Sequence, residues 1–266
     1  MRELILANEE DSISSAMIPD VFQVEATMDR ERVVNELSRR SFIAVPVVDK
    51  NGHLLGTIRT DELIASAQEE ATEDIQKMFG AGGDEHVSSP ISFSIRKRLL
   101  WLNINLATAF FASTVIALFQ DVIARSVALA IFLPIVASQG GNAGAQSLAV
   151  VIRGLVLREV EPRLARKIIL KEGLLGLANG VVVGLVAALV AWFWNGNIFL
   201  GVVIGLAMIV NMVAAGVSGA GIPILMKALG KDPAQSSNII LTTVTDVVGF
   251  FAFLSLAVLF GPLLLR

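Results

Sequence analysis

The sequence predicts a mostly α-helical membrane protein, with five spanning helices per subunit preceded by a small cytosolic α/β module and a connecting helix. Two observations carry this prediction. Hydrophobic residues make up 54% of the 266, and they gather into five stretches of about 20 residues or more, the length a helix needs to cross a hydrocarbon core. Charge is divided in the opposite sense. Residues 1–90 hold 18 acidic and 8 basic side chains and residues 91–266 hold 6 and 13, so an acidic front meets a basic remainder near Pro90. The expected boundaries are residues 1–68 for the module, 69–95 for the connecting helix and linker, and 96–266 for the spanning domain.

In the front part, Arg30–Arg40 reads as a helix. Phe42–Asp49 and Gly52–Ile58 alternate and are rich in β-branched residues, so they read as two strands joined by the turn Lys50-Asn51-Gly52. Met1 to Asp11 is acidic and lacks the apolar run of a secretory signal, which places this part in the cytosol. The absence of cysteine excludes a disulfide framework and thiolate zinc centres. His53 and His86 both lie in the front part and suggest no site.

The first span is expected over about Leu99–Phe119. The second begins near Val122 and is free of charge between Arg125 and Arg153. The third fills Gly173–Trp194, and Asn195-Gly196-Asn197 separates it from the fourth, about Ile198–Met226. The fifth runs from about Gln235 to Leu265. Arg96-Lys97-Arg98 precede the first span, six basic residues from Arg153 to Lys171 inclusive lie between the second and third, and Lys227 and Lys231 precede the fifth. Positive charge concentrates on the cytoplasmic side. That rule predicts a multipass protein of the cytoplasmic membrane, N-terminus inside and Arg266 outside.

By these boundaries Asp246 is the one acidic residue within a span. An ionised carboxylate at bilayer depth costs roughly 2.5 kcal/mol or more, so it normally faces water or a cation. Asn238, Thr242 and Asp246 recur at i, i+4 and i+8, which on a helix aligns amide, hydroxyl and carboxylate. Such oxygens suit a hard cation; the alternative is an Asp that only joins helices by hydrogen bonding. The second span contains Pro134 and then Gly140-Gly141-Asn142-Ala143-Gly144-Ala145-Gln146. Small residues there fit either a pore wall or close helix packing, and Asn142 and Gln146 favour the pore.

The runs G-G-N-A-G-A-Q-S with V-I-R-G, then G-I-P-I-L, D-P-A-Q-S-S and T-T-V-T-D-V-V-G resemble, in family order, the transmembrane domain of the MgtE-type magnesium channels and transporters. The two strands and their preceding helix resemble a CBS (cystathionine-β-synthase-type) module, and Glu70–Ile75 is similar to the family's junction with its connecting, or plug, helix. The resemblance implies a homodimer in membrane lipid, with Mg²⁺ passing down its gradient through an interfacial pore lined by the second and fifth helices. It implies Asp246 as the pore carboxylate, with Gly140, Gly141, Asn142, Gln146, Asn238, Thr242 and Gly249 along the pore and Asp232 at its mouth. It implies regulatory Mg²⁺ on Asp29, Glu31, Glu62, Glu70, Glu73 and Asp74. Asp232 precedes Pro233, so N-capping accounts for it equally well.

Two departures from the family pattern stand out. The sequence has room for one CBS module where the family carries two behind an acidic helical domain, so either part of the sensor is absent or the sequence is a truncated one. Nucleotide-binding modules carry Thr or Ser three residues and Asp six residues after the glycine; Gly56 is followed by Arg59 and Glu62, which speaks against adenosine binding. No phosphate loop, activated nucleophile or redox motif is present, so neither an enzyme nor a nucleic-acid binder is expected. The rival readings are a divalent-cation transporter coupled to Na⁺ or H⁺ and a CBS sensor with a membrane anchor. Mg²⁺, Mn²⁺, Co²⁺ and Ni²⁺ are all small dications that accept oxygen ligands, and the sequence does not rank them.

Overall fold

The computed structural model describes residues 12, 17, 21–28, 33, 36, 42–59, 61, 72–157, 159–235 and 237–264. They fall into two compact units, within Met1–Thr72 and Glu73–Arg266.

The first unit holds a three-stranded sheet, β1 (Val24–Glu25), β2 (Ala44–Val48) and β3 (Leu54–Arg59), in that order across the sheet. β2 pairs with β3 antiparallel, Val45 opposite Ile58, and with β1 parallel, Val24 opposite Val47. Asp49 organises the hairpin turn: its Oδ1 accepts the Asn51 and His53 amides at 2.8 Å each, and Gly52 takes φ +82°. Those bonds hold the Asp49 carboxyl below the usual carboxylate range. Pro46 lies beyond the end of β1, so its missing N–H interrupts no β1–β2 pairing. Val24, Val33 and Val45 form the core, with Phe22, Met28 and Ile58 against it. β1 was not foreseen. Of the helix expected over Arg30–Arg40, Val33 and Glu36 are described, both helical.

The second unit is helical. Residues 73–78 form a short helical segment, followed by turns and then α1 (Ile91–Leu118), α2 (Gln120–Arg125), α3 (Val127–Val156), α4 (Ala165–Asn195), α5 (Ile198–Ala228), α6 (Ser237–Leu259) and α7 (Gly261–Leu264). A 3₁₀ turn, Pro162–Leu164, leads into α4. Among the described residues five helices, α1 and α3 to α6, are long and apolar enough to cross a membrane. Several expected boundaries move. α1 begins at Ile91, inside the expected linker, because Pro90 ends the preceding turns and presets the first helical turn. The second span starts at Val127, since Ser126 takes an extended backbone (φ −144°, ψ 93°) and detaches α2. α4 starts eight residues before Gly173, where the apolar composition sets in.

α4 and α5 form a hairpin with a two-residue connection. Gly196, at φ +73°, ends α4 by donating its N–H to Trp192 O at 2.8 Å, and Asn197 Oδ1 accepts the Phe199 amide at 2.9 Å to start α5. The two helices approach through small residues. A Cβ on Gly176, Gly184, Gly201 or Gly216 would lie 2.3, 2.8, 2.5 or 2.2 Å from a backbone oxygen of the opposite helix. α5 is the central element: half of its most apolar stretch is buried, against 11% for α1. Its Leu200, Val203 and Ile204 pack with Leu129, Phe132 and Val136 of α3 and Phe253 and Leu254 of α6.

Candidate ion-conduction site

α6 carries the expected stripe. The hydroxyls of Thr242 and Thr243 donate to Ile239 O at 3.0 and 2.8 Å, and that of Thr245 donates to Thr242 O at 3.0 Å. Back-bonding of this kind satisfies each donor within its own helix and leaves the oxygen able to accept. Asn238, Thr242 and Asp246 are all half-buried. Neither Asn238 nor Asp246 makes a side-chain hydrogen bond or ion pair with any described residue. A carboxylate within a spanning helix normally faces water, a cation or a polar partner, and among the described residues Asp246 has no such partner.

α3 presents a matching stripe. Ser138, Asn142 and Gln146, spaced i, i+4 and i+8, are all exposed. The stripes adjoin where a Cβ on Gly141 would come within 3.8 Å of Thr242 Cγ2, an ordinary van der Waals distance. Polar side chains on the outside of a spanning helix do not face acyl chains; they are covered by protein or border water. Amide, hydroxyl and carboxylate oxygens together suit a hydrated hard cation, which is held through few carboxylates.

The glycines beside these stripes divide. Gly140 and Gly249 are buried, and a Cβ on them would lie 2.2 and 2.6 Å from Asn211 Nδ2, whereas Gly141 opens toward Thr242. Close packing against Asn211 therefore accounts for Gly140 and Gly249. The residue they make room for was missed in the sequence. Asn211 of α5 is fully buried, donates from Nδ2 to Val136 O at 2.8 Å, and leaves its Oδ1 without a partner. An amide in the middle of Ile209-Val210-Asn211-Met212-Val213 was the available signal.

A second acid also lies within a helix long and apolar enough to cross a membrane. α4 takes in Glu172, which is 5% exposed and accepts a 2.7 Å hydrogen bond from the Ser147 hydroxyl of α3. Asp246 is therefore not alone. What separates the two carboxylates is pairing.

Of the acidic set, Asp29, Glu31, Glu62 and Glu70 lie outside the described residues. Glu73 and Asp232 are brought together by Lys77, whose Nζ lies 2.8 Å from Glu73 Oε1 and 3.1 Å from Asp232 Oδ2. Burial works against the ammonium's charge, but the hydrogen bonds and charges of both carboxylates outweigh it and hold the Lys77 pKa well above the ordinary lysine value. Asp74 has a partner of its own. Asp232 also accepts the Ala234 amide at 2.9 Å, but this bond sits in a turn ahead of α6, which begins at Ser237, so it is not the helix cap weighed for it. Among the described residues no three His, Asp or Glu side chains converge as a metal site. Beside these groups a cavity of about 570 Å³ is lined by Asn238 and Thr242 together with Arg98, Trp101 and Asn105 of α1.

Residues 133–256 match the MgtE family, described as divalent cation transporters, and residues 11–69 match the CBS domain. The chain is 33% identical over 259 residues to a magnesium transporter MgtE of Bacillus subtilis, 33% over 260 residues to one of Enterococcus faecalis, and 32% over 260 residues to one of Thermus thermophilus. These alignments take in 97–98% of the chain and 57% of each relative, so the chain spans little more than half their length.

Proposed function

The chain carries a multipass membrane domain of the MgtE family of divalent cation transporters joined to a CBS domain, and on that premise we propose that it moves Mg²⁺ down its electrochemical gradient through a pore between two copies. The observation that carries this reading is the polar surface shared by α3 and α6, where exposed Ser138, Asn142 and Gln146 lie beside half-buried Asn238, Thr242 and Asp246, and neither Asn238 nor Asp246 has a side-chain partner among the described residues. Lipid cannot cover it. A second copy related by a twofold axis brings two such surfaces together and sets two Asp246 carboxylates around one water-clad dication. Mg²⁺ dehydrates reluctantly, so amide and hydroxyl groups that hydrogen-bond its water shell serve better than a closed cage of carboxylates. Asn211 acts at one remove, holding the Val136 carbonyl of α3 and filling the space between Gly140 and Gly249.

Gating by cytosolic Mg²⁺ belongs to the same proposal. Glu73, on the segment before α1, and Asp232, before α6, form the pair on which a regulatory ion would act, with Lys77 already between them. A dication there would displace the ammonium or recruit further carboxylates, so closure is expected only at higher Mg²⁺ than a denser acidic site would need. The orientation, N-terminus inside and C-terminus outside, rests on the distribution of basic residues.

Mg²⁺ uptake into liposomes containing the purified chain, with no Na⁺ or H⁺ gradient and with Mn²⁺, Co²⁺ or Ni²⁺ as competitors, tests the reading. Flux that follows the Mg²⁺ gradient alone supports a channel. Flux that appears only with a counter-ion gradient replaces it by coupled transport.

A further inference from the structure

At the start of α4, Arg163, Arg166, Lys167 and Lys171 border an open cavity of about 660 Å³ whose remaining walls are Leu170, Leu174 and Leu175. None of Arg163, Arg166 and Lys167 makes an ion pair or side-chain hydrogen bond with any described residue, and Lys171 has only Glu172 Oε1 at 3.8 Å. The three leucines are 57, 65 and 45% exposed. They stand apart from the face that α4 packs on α5, which runs through Gly176, Gly180 and Gly184. The order along the helix matters. Cations come first, and Leu170, Leu174 and Leu175 follow as α4 enters its apolar stretch, roughly 12 Å separating Arg166 from Leu174 at 1.5 Å per residue.

We propose that this surface is a binding site for an anionic phospholipid. The headgroup phosphate would sit among Arg163, Arg166 and Lys167, with Lys171 at the glycerol level and the first acyl segments along Leu170 and Leu174. Cations at a membrane boundary attract anionic headgroups, and basic pockets on spanning helices take such lipids. The guanidinium forks of Arg163 and Arg166 match phosphate oxygens in geometry as well as charge. Four like charges on one face disfavour a second copy as the occupant, because an isologous contact through this patch sets it against itself. Free phosphate matches the cations and leaves the leucines uncovered. The inference stands on the membrane-spanning character of α4 and is independent of what ion the protein moves.

The chain has no cysteine, so Leu170→Cys provides a single attachment point for a fluorophore on the 266-residue chain in vesicles. With spin-labelled phosphatidylglycerol as quencher, quenching should saturate at a low lipid fraction; with spin-labelled phosphatidylcholine it should rise only in proportion to bulk lipid. Neutralising Arg163 and Lys167 as Gln should weaken the phosphatidylglycerol preference roughly fivefold for each cation removed. Arg163→Lys with Arg166→Lys, which keeps the charge and loses the forks, should weaken the preference by less than the neutralised pair. Equal quenching by both lipids would overturn the proposal, as would a preference unchanged in the neutralised protein. So would displacement of the labelled lipid by millimolar inorganic phosphate, which would make the site one for a free anion. Fluorophore self-quenching that persists on dilution in lipid would place a second copy on this face and also overturn it.

Discussion

Along the seam between α4 and α5, Gly176, Gly184, Gly201 and Gly216 face backbone oxygens of the opposite helix, and Glu172 is buried with a serine hydroxyl at 2.7 Å. Along α3 and α6, a Cβ on Gly141 would meet Thr242 Cγ2 at an ordinary 3.8 Å, and Asp246 stands half-exposed with no partner among the described residues. Both regions combine glycine, which lets spanning helices approach closely, with a carboxylate, which a helix in lipid uses sparingly. In the seam each is matched by a neighbour in the same subunit, which makes it part of the packing. In the stripe the carboxylate and the amides have no side-chain partner among the described residues, which is what the proposed ion site requires.

The sharpest way to break this contrast is to overfill the seam. Gly216→Val drives a side chain onto Glu172 O, where an added Cβ already lies at 2.2 Å. We expect a loss of about 3 kcal/mol, the upper end for overpacking, seen as failure to survive thermal challenge in detergent. A seam that accepts valine with unchanged thermal stability would remove the distinction.

Gly140 and Gly141 sharpen it within one helix. Gly140→Val meets the Asn211 amide and should destabilise by about 2 kcal/mol; Gly141→Val should leave thermal stability nearly unchanged and reduce Mg²⁺ flux instead. Combining Gly140→Ala with Asn211→Ala restores room and should recover stability, which thermal unfolding of the three variants would show. Asn211→Leu keeps the volume, removes the bond to Val136 O and removes the buried unpartnered oxygen. Its stability should therefore stay within about 1 kcal/mol of the parent, and a several-fold fall in flux would separate positioning from packing.

The smallest effect concerns pH. Lys97 beside Asp84, and Arg98 beside Glu85, hold both carboxyls below the usual carboxylate range. A depressed folded-state value means that the added stability is present above the unfolded-state value near 4 and is lost as pH falls through the lower folded-state value. Thermal stability of the parent should therefore decline more steeply below about pH 4 than that of a variant carrying Asp84→Asn and Glu85→Gln.

Much of this arrangement could be read in the sequence, for identifiable reasons. Asn238, Thr242 and Asp246 share a stripe because helical periodicity alone aligns them, and the β2–β3 hairpin follows from alternation and a glycine turn. Asn211, Glu172 and Lys77 were not legible, because their roles depend on what packs against them. Asn211 reads as an isolated amide until Gly140 and Gly249 close around it. Glu172 reads as a flanking charge until α4 is seen to begin at Ala165. Lys77 reads as one cation in an acidic segment until Asp232, 155 residues later, meets it.

The central claim is that the unmatched carboxylate carries the ion and the matched one carries the fold. Mg²⁺ uptake into liposomes by Asp246→Asn and by Glu172→Gln, at equal reconstituted protein, measures it most directly. The account predicts a fall of tenfold or more, about 1.4 kcal/mol or above, for Asp246→Asn with its thermal stability intact, and near-parental flux for Glu172→Gln, whose amide oxygen still accepts from Ser147. Parental flux through Asp246→Asn, or an equal loss in both variants, would contradict it.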